Sequence, residues 1–321
     1  MSIRKGALVA AALLTGITAG TGVASAAPAY EHYVALGDSY TSGPLIPFMR
    51  LDPLGCARST NNYPSFLARN LDVGSFTDVS CGGADTTNMT AAQSVPLGSN
   101  PPQFNALKAD TDLVTIGIGG NDYGVFGTLV GDCPPLREQD PTGSPCRDKF
   151  TVDGVDTIKQ RIEQTGTRVT AVLDGVHERS PNAKVVLVGY PRIGPPTGTC
   201  PNILPFADGD LRWLDSVEQE LNGALAKAAA EDGDTTFVDM YPASLGHDAC
   251  APGGAAWIQG KDINLLAALN YHPRRSGMIG VATQVQGALT GKTPAKLKAP
   301  AYDGPVADRK TVGSLGAQHL R

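Results

Sequence analysis

The sequence has 321 residues, of which 41% are hydrophobic and 18% charged, and its formal net charge at pH 7 is −5. This length is sufficient for one large domain or two small ones. An acidic chain is a poor partner for nucleic acid, so nucleic-acid binding is excluded from the candidate functions.

The N-terminus has the pattern of a secretory signal peptide. Arg4 and Lys5 supply positive charge, residues 6–23 are mostly small and apolar, and an Ala-Ser-Ala cleavage site follows. We therefore predict that residues 1–26 are a signal peptide and that the secreted, mature protein begins at Ala27. The alternative is a retained anchor. No later segment approaches the length of an apolar membrane span, so none is expected.

A buried strand is predicted over residues 33–36, where aromatic and β-branched side chains form an apolar run. It ends in Gly37-Asp38-Ser39, so a hydroxyl lies where the strand becomes a turn. Ligands bind at this carboxyl edge in parallel α/β sheets, which makes Ser39 a candidate nucleophile. The alternative is an ordinary turn, because glycine, aspartate and serine are all common turn residues.

Residues 41–49 form an unusually apolar loop. Its side chains include Leu45, Ile46 and Phe48. These three residues are predicted to line an apolar substrate groove. The alternative is that they only cover the sheet.

Two further strands end in glycine-containing turns. Residues 76–79 are followed by a turn that contains Gly83, and residues 113–118 are followed by a turn that contains Asn121. A dinucleotide fingerprint would need glycine in place of Asp122, so the second turn is a poor match to that motif. No nucleotide cofactor is therefore expected.

The remaining pattern alternates helices and strands. Helices are predicted over residues 61–71, over 152–176 with a break near Gly166, from Asp210 as N-cap through Leu225, and over 276–289; strands are predicted over 184–188 and 236–238. Strands that alternate with amphipathic helices indicate a three-layer α/β/α sandwich around a parallel sheet of five strands. The polar, proline-containing residues 131–150 are expected to form a surface excursion.

The six cysteines are Cys56, Cys81, Cys133, Cys146, Cys200 and Cys250. No Cys-x-x-Cys or His-Glu-x-x-His pattern occurs, so no metal site is predicted. An even cysteine count in an exported chain favours disulfides. Six cysteines allow many pairings, of which pairing each with its neighbour in sequence is the simplest.

The last residues, 290–321, differ in composition from the rest. Glycine, proline and alanine are frequent and helical periodicity is lost, so we expect a disordered tail. Adhesion of this tail to an anionic surface is the alternative. The tail holds six Lys or Arg against two Asp, and the signal peptide holds two positive charges. The predicted domain between them, residues 27–289, therefore carries a net charge of −11.

A serine hydroxyl is a weak nucleophile and needs a base within hydrogen-bond distance. The five histidines are His32, His177, His247, His272 and His319. His32 lies at the start of the first strand, His177 in a helix and His319 in the tail. His272 lies just before the last helix, where a base would reach the carboxyl edge of the sheet. The alternative for any single histidine is a structural role.

Acyl transfer also needs hydrogen-bond donors for the oxyanion. Gly83 has no side chain to block close approach to its N–H group. Asn121 can supply a side-chain amide, and the N–H group of Ser39 is a third candidate donor.

Together these blocks resemble a known family. Four blocks have the order and approximate spacing seen in SGNH (GDSL) hydrolases, namely Gly37-Asp38-Ser39, the glycine of Cys81-Gly82-Gly83-Ala84, Gly119-Gly120-Asn121-Asp122 and His272-Pro273. The chain is most similar to the secreted bacterial lipase and esterase branch, over residues 30–290.

The resemblance implies a flavodoxin-like sheet and hydrolysis of carboxylic esters. It implies Ser39 as nucleophile, His272 as base and an oxyanion hole formed by Ser39, Gly83 and Asn121. It also implies sequential pairing of the six cysteines and a structural role for the segment around His247.

The chain departs from the family at one position. An aspartate usually lies three residues before the histidine, and here that residue is Leu269. Some members of this branch orient the histidine with a main-chain carbonyl, so we predict the carbonyl of Leu269 or Asn270 in this role. A carbonyl stabilises imidazolium less than a carboxylate does. The alternative is an aspartate from elsewhere, of which Asp262 is the nearest in sequence.

We therefore predict a secreted, metal-independent serine hydrolase that cleaves carboxylic esters through an acyl-enzyme, as a lipase, esterase or phospholipase. No cofactor is expected, the partner is an ester or lipid substrate, and the protein is expected to be a monomer. No Gly-x-Ser-x-Gly occurs, which argues against the α/β-hydrolase nucleophile turn. The alternatives are a carbohydrate acetyl esterase and a non-catalytic surface-binding protein.

Overall fold

The computed structural model describes residues 29–292. Their strands are β1 (His32–Gly37), β2 (Ser75–Asp78), β3 (Gln93–Val95), β4 (Gly98–Asn100), β5 (Leu113–Gly117), β6 (Thr151–Val152), β7 (Val155–Asp156), β8 (Lys184–Val188) and β9 (Thr236–Val238). Their α-helices are α1 (Ser39–Ser42), α2 (Tyr63–Asn70), α3 (Val125–Leu136), α4 (Pro145–Phe150), α5 (Thr157–Arg179), α6 (Asp208–Asp232), α7 (Met240–Ala243) and α8 (Arg275–Thr290). The predicted signal peptide, 1–26, and residues 293–321 of the predicted tail lie outside the described residues.

Five strands form one parallel sheet in the spatial order β2-β1-β5-β8-β9. Counted in chain order within this sheet, the order is 2-1-3-4-5, which is the flavodoxin-like arrangement. The predicted α/β class and the five parallel strands are therefore confirmed. The strand order reverses between β1 and β5, so a ligand is expected in the crevice outside the carboxyl ends of these two strands.

Helices cover both faces of the sheet. Leu36 of β1 belongs to the same buried cluster as Ile162 of α5 and Leu221 of α6. Ala35 points to the opposite face, because successive strand residues alternate, and belongs to a second cluster with residues of α2 and α8 such as Phe66. This arrangement is the predicted three-layer sandwich. Within residues 29–292, no helix combines the length and the apolar character needed to cross a membrane.

The helix predicted over residues 152–176 begins later than expected. Val152 and Val155 lie in the hairpin β6–β7 and are exposed, so their helical spacing is coincidental. α5 starts after this hairpin because the Asp156 side chain accepts two N–H groups of its first turn, both at 3.1 Å. The helix then continues through Gly166, and the predicted break there is wrong.

Asp210 is not the N-cap of α6, as the sequence suggested. The N-cap is Ala207, and Asp210 lies within the first turn of the helix, where it is fully buried. Its carboxylate accepts the N–H groups of Cys146 and Arg147 at 3.0 and 2.9 Å. It therefore caps α4, which packs against the start of α6, rather than its own helix.

The structure pairs each cysteine with its neighbour in sequence, as Cys56–Cys81, Cys133–Cys146 and Cys200–Cys250. The second bridge joins α3 to α4 and lies within residues 131–150, the predicted surface excursion, which contains the end of α3 and all of α4. The first bridge ties the turn after β2 to the loop that follows α1.

Candidate active site

The carboxyl end of β1 is a tight turn that presents Ser39. Gly37 has a φ of +147°, and a Cβ there would lie 2.6 Å from the Gly117 carbonyl oxygen, so only glycine fits. The Asp38 N–H group donates to the same carbonyl at 2.9 Å, which ties the turn to β5. The Asp38 side chain then caps α1 by accepting the Tyr40 N–H group at 2.8 Å. Ser39 is thereby held as the first residue of α1.

Asp38 is fully buried and connects two turns of the site. One carboxylate oxygen accepts the Tyr190 hydroxyl at 2.5 Å, and this hydroxyl accepts the Gly120 N–H group at 2.8 Å. Burial raises the pKa of Asp38 to about 7, and the hydrogen bonds from Tyr190 and Tyr40 partly oppose this. The contact fixes the turn of Ser39 relative to the turn after β5.

His272 reaches Ser39 from the loop before α8. Its Nε2 atom lies 2.9 Å from Ser39 Oγ, and its Nδ1 atom lies 2.6 Å from the Asn270 carbonyl oxygen. A carbonyl oxygen can only accept, so Nδ1 carries the proton and Nε2 presents a lone pair to the serine. Of the two predicted carbonyls, that of Asn270 contacts the imidazole ring. The carbonyl of Leu269 instead accepts the main-chain N–H group of His272 at 3.3 Å.

The aspartate considered as an alternative partner has other contacts. The Asp262 carboxylate is exposed and lies 3.1 Å from Lys261 Nζ, while Nδ1 of His272 contacts the Asn270 carbonyl. Burial lowers the pKa of His272, and the Asn270 carbonyl partly opposes this effect. The imidazole is therefore neutral at neutral pH, which is the form that can accept a proton.

The loop of His272 is anchored by a residue that the sequence analysis did not select. The Tyr40 hydroxyl donates to the Tyr271 carbonyl at 2.6 Å. Tyr271 has a φ of +58°, which is unfavourable for a bulky residue and is held by such contacts. Because Tyr40 follows Ser39 directly, the segment that presents Ser39 also positions the loop of His272.

Three residues that line the cleft, Ser39, Gly83 and Asn121, carry N–H groups that are candidate donors. The N–H group of Ser39 opens α1, where no intrahelical acceptor exists. Within residues 29–292, neither this group nor the Gly83 N–H group has a hydrogen-bond acceptor. Asn121 uses one Nδ2 hydrogen on the Ala84 carbonyl at 2.9 Å and keeps a second. All three residues line the same cleft, so the arrangement can donate to an oxyanion.

The turns that carry Gly83 and Asn121 are joined by a buried carboxylate. Asp122 accepts the Thr86 N–H group at 3.0 Å, the Thr86 hydroxyl, and Arg168 Nη1 at 3.1 Å. Burial raises the pKa of Asp122, and these hydrogen bonds oppose the rise. Asp122, which stands where a dinucleotide fingerprint would need glycine, therefore holds the turns of Gly83 and Asn121 together.

The cleft has a volume of about 370 Å³ and is lined by Ser39, Gly83, Asn121 and His272. One wall is apolar and consists of Phe126, Val130 and Ile193. The same three side chains also border a second, apolar cavity of about 50 Å³ between α3 and α6. The cleft can therefore hold an apolar group beside the serine.

The residues predicted to bind substrate lie elsewhere. Ile46 is completely buried in the cluster beneath α2 and α8, so its predicted place in the groove is wrong. Leu45 and Phe48 are partly buried and do not line the cleft. Pro44 is the residue of this loop that does. The apolar character of the loop reflects packing on the sheet, which is the alternative stated above.

Comparisons with known proteins agree with this geometry. Residues 35–278 match the sequence profile of the GDSL-like lipase/acylhydrolase family. The chain is 40% identical over 251 residues to Lipase 2 of Streptomyces coelicolor, covering 77% of this chain and 81% of that protein. Its fold is similar to phospholipase A1 of Streptomyces albidoflavus NA297, with a TM-score of 0.66 and 28% identity over 81% of this chain and 99% of that one. It is also similar to an extracellular lipase of Streptomyces rimosus, with a TM-score of 0.62 and 26% identity over 81% and 100% of the two chains. The chain therefore belongs to the GDSL-like lipase/acylhydrolase family and is a carboxylic ester hydrolase.

Proposed function

We propose that the protein is a secreted lipase or esterase in which Ser39 is the nucleophile and His272 the general base. The observation that carries the proposal is the 2.9 Å contact between Ser39 Oγ and His272 Nε2, in a cleft where Ser39, Gly83 and Asn121 each have an N–H hydrogen without an acceptor among residues 29–292. A hydroxyl next to a neutral imidazole can lose its proton as it attacks, which is how a serine becomes a nucleophile at neutral pH.

The reaction proceeds through an acyl-enzyme. Ser39 attacks the ester carbonyl while His272 takes its proton, and the resulting oxyanion accepts hydrogen bonds from Ser39, Gly83 and Asn121. Each such donor contributes about 3–4 kcal/mol to stabilising the transition state. His272 then protonates the leaving alcohol, and in the second half it removes a proton from the water that attacks the acyl-enzyme.

A main-chain carbonyl takes the place of a third catalytic side chain. The Asn270 carbonyl, 2.6 Å from His272 Nδ1, fixes the tautomer and the ring orientation. It stabilises the imidazolium less than a carboxylate would, because hydrogen bonds between two charged groups are stronger. We therefore assign catalysis to a Ser-His pair that the main chain orients.

An acyl chain is the substrate group that best fits the cleft. The wall of Phe126, Val130 and Ile193 offers apolar surface next to Ser39 rather than the hydrogen-bonding groups that a sugar ring requires. A phospholipid is included among the candidate substrates, since the relative from S. albidoflavus is a phospholipase A1.

Secretion is supported by three observations. Residues 1–26 have the pattern of a signal peptide. All cysteines in residues 29–292 are paired in disulfides, which persist in oxidising compartments. The relative from S. rimosus is described as extracellular.

The test is hydrolysis of p-nitrophenyl esters from acetate to palmitate by the wild type, Ser39→Ala and His272→Ala. We expect turnover of the longer acyl chains by the wild type and a loss of roughly 10⁴-fold or more in kcat for either variant. Residual turnover near the wild-type rate in Ser39→Ala would refute the proposal. Turnover confined to acetate and to acetylated carbohydrate would instead favour a carbohydrate esterase.

A further inference from the structure

Large aliphatic side chains are exposed on two loops that reach the cleft, at residues 51–54 and 263–266, and on the turn of the hairpin β3–β4. Of the eleven large hydrophobic residues that are exposed in the described part of the chain, six lie here, with exposures from 43% to 88%. We call this set the aliphatic rim, which consists of Leu51, Leu54, Leu97, Ile263, Leu265 and Leu266. Single exposed leucines are common, but a cluster of this size around one opening marks an interaction site.

One side of the rim adjoins the cleft through Gly55. This glycine lines the cleft and follows Leu54 directly. A Cβ on Gly55 would collide with the Pro96 carbonyl, so the hairpin β3–β4 packs closely against this loop. Leu97, 88% exposed, lies at the turn of that hairpin, directly after Pro96, and therefore on the same side of the cleft as the loop of Leu54.

The other side of the rim is a pinned turn. Asn264 and Ala268 exchange two backbone hydrogen bonds, at 3.1 and 3.0 Å, and Ala268 is fully buried. Leu265 and Leu266 are thereby held at the tip, with exposures of 74% and 82%, instead of folding onto the body of the protein. Leu269, which lines the cleft, directly follows Ala268 in the sequence.

The charge distribution indicates the kind of surface that the rim contacts. Residues 263–273 and 86–107 contain no charged side chain. Arg50 and Asp52, on either side of Leu51, form an ion pair, and so do Lys261 and Asp262, which precede Ile263, so these pairs add no net charge to the rim. The predicted domain that carries them, residues 27–289, has a net charge of −11, so an anionic surface would be repelled. An uncharged, apolar partner therefore fits this face.

We propose that the aliphatic rim docks the protein on the surface of a neutral or zwitterionic lipid aggregate, with the cleft facing the lipid. This inference rests on the proposed function, since the aggregate supplies the ester. Docking gains free energy by removing the rim from water. Docking of this kind is insensitive to salt, because the rim forms no ion pair with the lipid. Leu265 and Leu266 on one side and Leu97 on the other enter the interface, and the opening between them receives the acyl ester.

The test is co-sedimentation of the full chain with phosphatidylcholine vesicles, in a Ser39→Ala background so that no lipid is consumed. We expect the double variant Leu265→Ser/Leu266→Ser to reduce partitioning at least about tenfold. The matched control is Val152→Ser/Val155→Ser, which changes an exposed pair that does not line the cleft. This control is expected to bind as its parent does, in low and high salt alike.

Three results would overturn the proposal. The first is that the parent does not bind the vesicles, and the second is that the rim variant and the control variant lose vesicle binding equally. The third is binding that requires phosphatidylglycerol and disappears in high salt, which would indicate that the basic tail binds the vesicles. With Ser39 intact, both double variants are expected to hydrolyse dissolved p-nitrophenyl butyrate at the wild-type rate. Failure of the wild type on this dissolved ester would refute the proposed function and not the docking surface.

Discussion

Replacing Asn121 with alanine is expected to remove one oxyanion donor while the fold is kept. The side chain is partly buried and donates one hydrogen bond, from Nδ2 to the Ala84 carbonyl at 2.9 Å. Losing that neutral bond costs about 1 kcal/mol of folding free energy. In the proposed role, loss of the second N–H group is expected to cost about 3–4 kcal/mol of transition-state stabilisation, because an oxyanion donor meets negative charge that develops only during the reaction. The effect on catalysis should therefore exceed the effect on stability.

The assay is steady-state hydrolysis of dissolved p-nitrophenyl butyrate, with urea unfolding as the measure of stability. We expect kcat to fall roughly 10²- to 10³-fold with little change in KM, since the donor acts in the transition state. Asn121→Asp is the matched variant, because it has the same size but replaces the donor by an acceptor. A loss below tenfold in kcat for both folded variants would refute the role assigned to Asn121.

Three further predictions concern the groups around this donor. Since imidazolium cannot accept a proton and burial lowers the pKa of His272, kcat/KM should rise with pH through an inflection below 6.5. Asp38 has a pKa of about 7, so the result that would contradict the assignment is the absence of any inflection below 6.5. Asp262→Ala should leave kcat within about twofold of the wild type, because this exposed carboxylate pairs with a lysine, and loss of turnover in the folded variant would show that it supports the histidine. Replacing Cys56 and Cys81 by serine should lower kcat as well as the free energy of unfolding, the latter by about 2–4 kcal/mol, because the bridge tethers the turn of Gly83. An unchanged kcat in that folded variant would mean that the tether does not position the donor.

The sheet was predictable because its three central strands, β1, β5 and β8, are short apolar runs that end in glycine or are followed by it, and such runs have few alternatives in an α/β chain. The order of the strands also placed Ser39, Gly83 and Asn121 at one edge, where turns after parallel strands must meet. The boundaries of the helices were harder to predict from the sequence. Val152 and Val155 have helical spacing, but the capping side chain of Asp156 fixes the start of α5 after them.

The residues that brace the site could not be found from local patterns. Gln103 is fully buried and both accepts the Gly37 N–H group at 2.8 Å and donates to its carbonyl at 2.9 Å, yet 66 residues separate the two in sequence. Tyr190 and Tyr40 are likewise ordinary aromatic residues until the fold brings a carboxylate or a carbonyl to their hydroxyls.

In the apolar loop after Ser39, by contrast, residues were assigned to the site that do not belong to it. Its composition fits a substrate groove and a buried cover equally well, since both require large apolar side chains. The direction of Ile46 depends on packing against α2 and α8, which the loop sequence alone does not contain. The apolar wall comes instead from α3 and from the loop after β8, as Phe126, Val130 and Ile193.

The central claim is that an imidazole oriented only by the main chain activates Ser39. The most direct measurement is the rate of covalent labelling by a fluorophosphonate, with the modified residue identified by mass spectrometry in the wild type, Ser39→Ala and His272→Ala. We expect modification at Ser39 in the wild type, none in Ser39→Ala and a strongly reduced rate in His272→Ala. Labelling of a different residue, or an undiminished rate in folded His272→Ala, would contradict it.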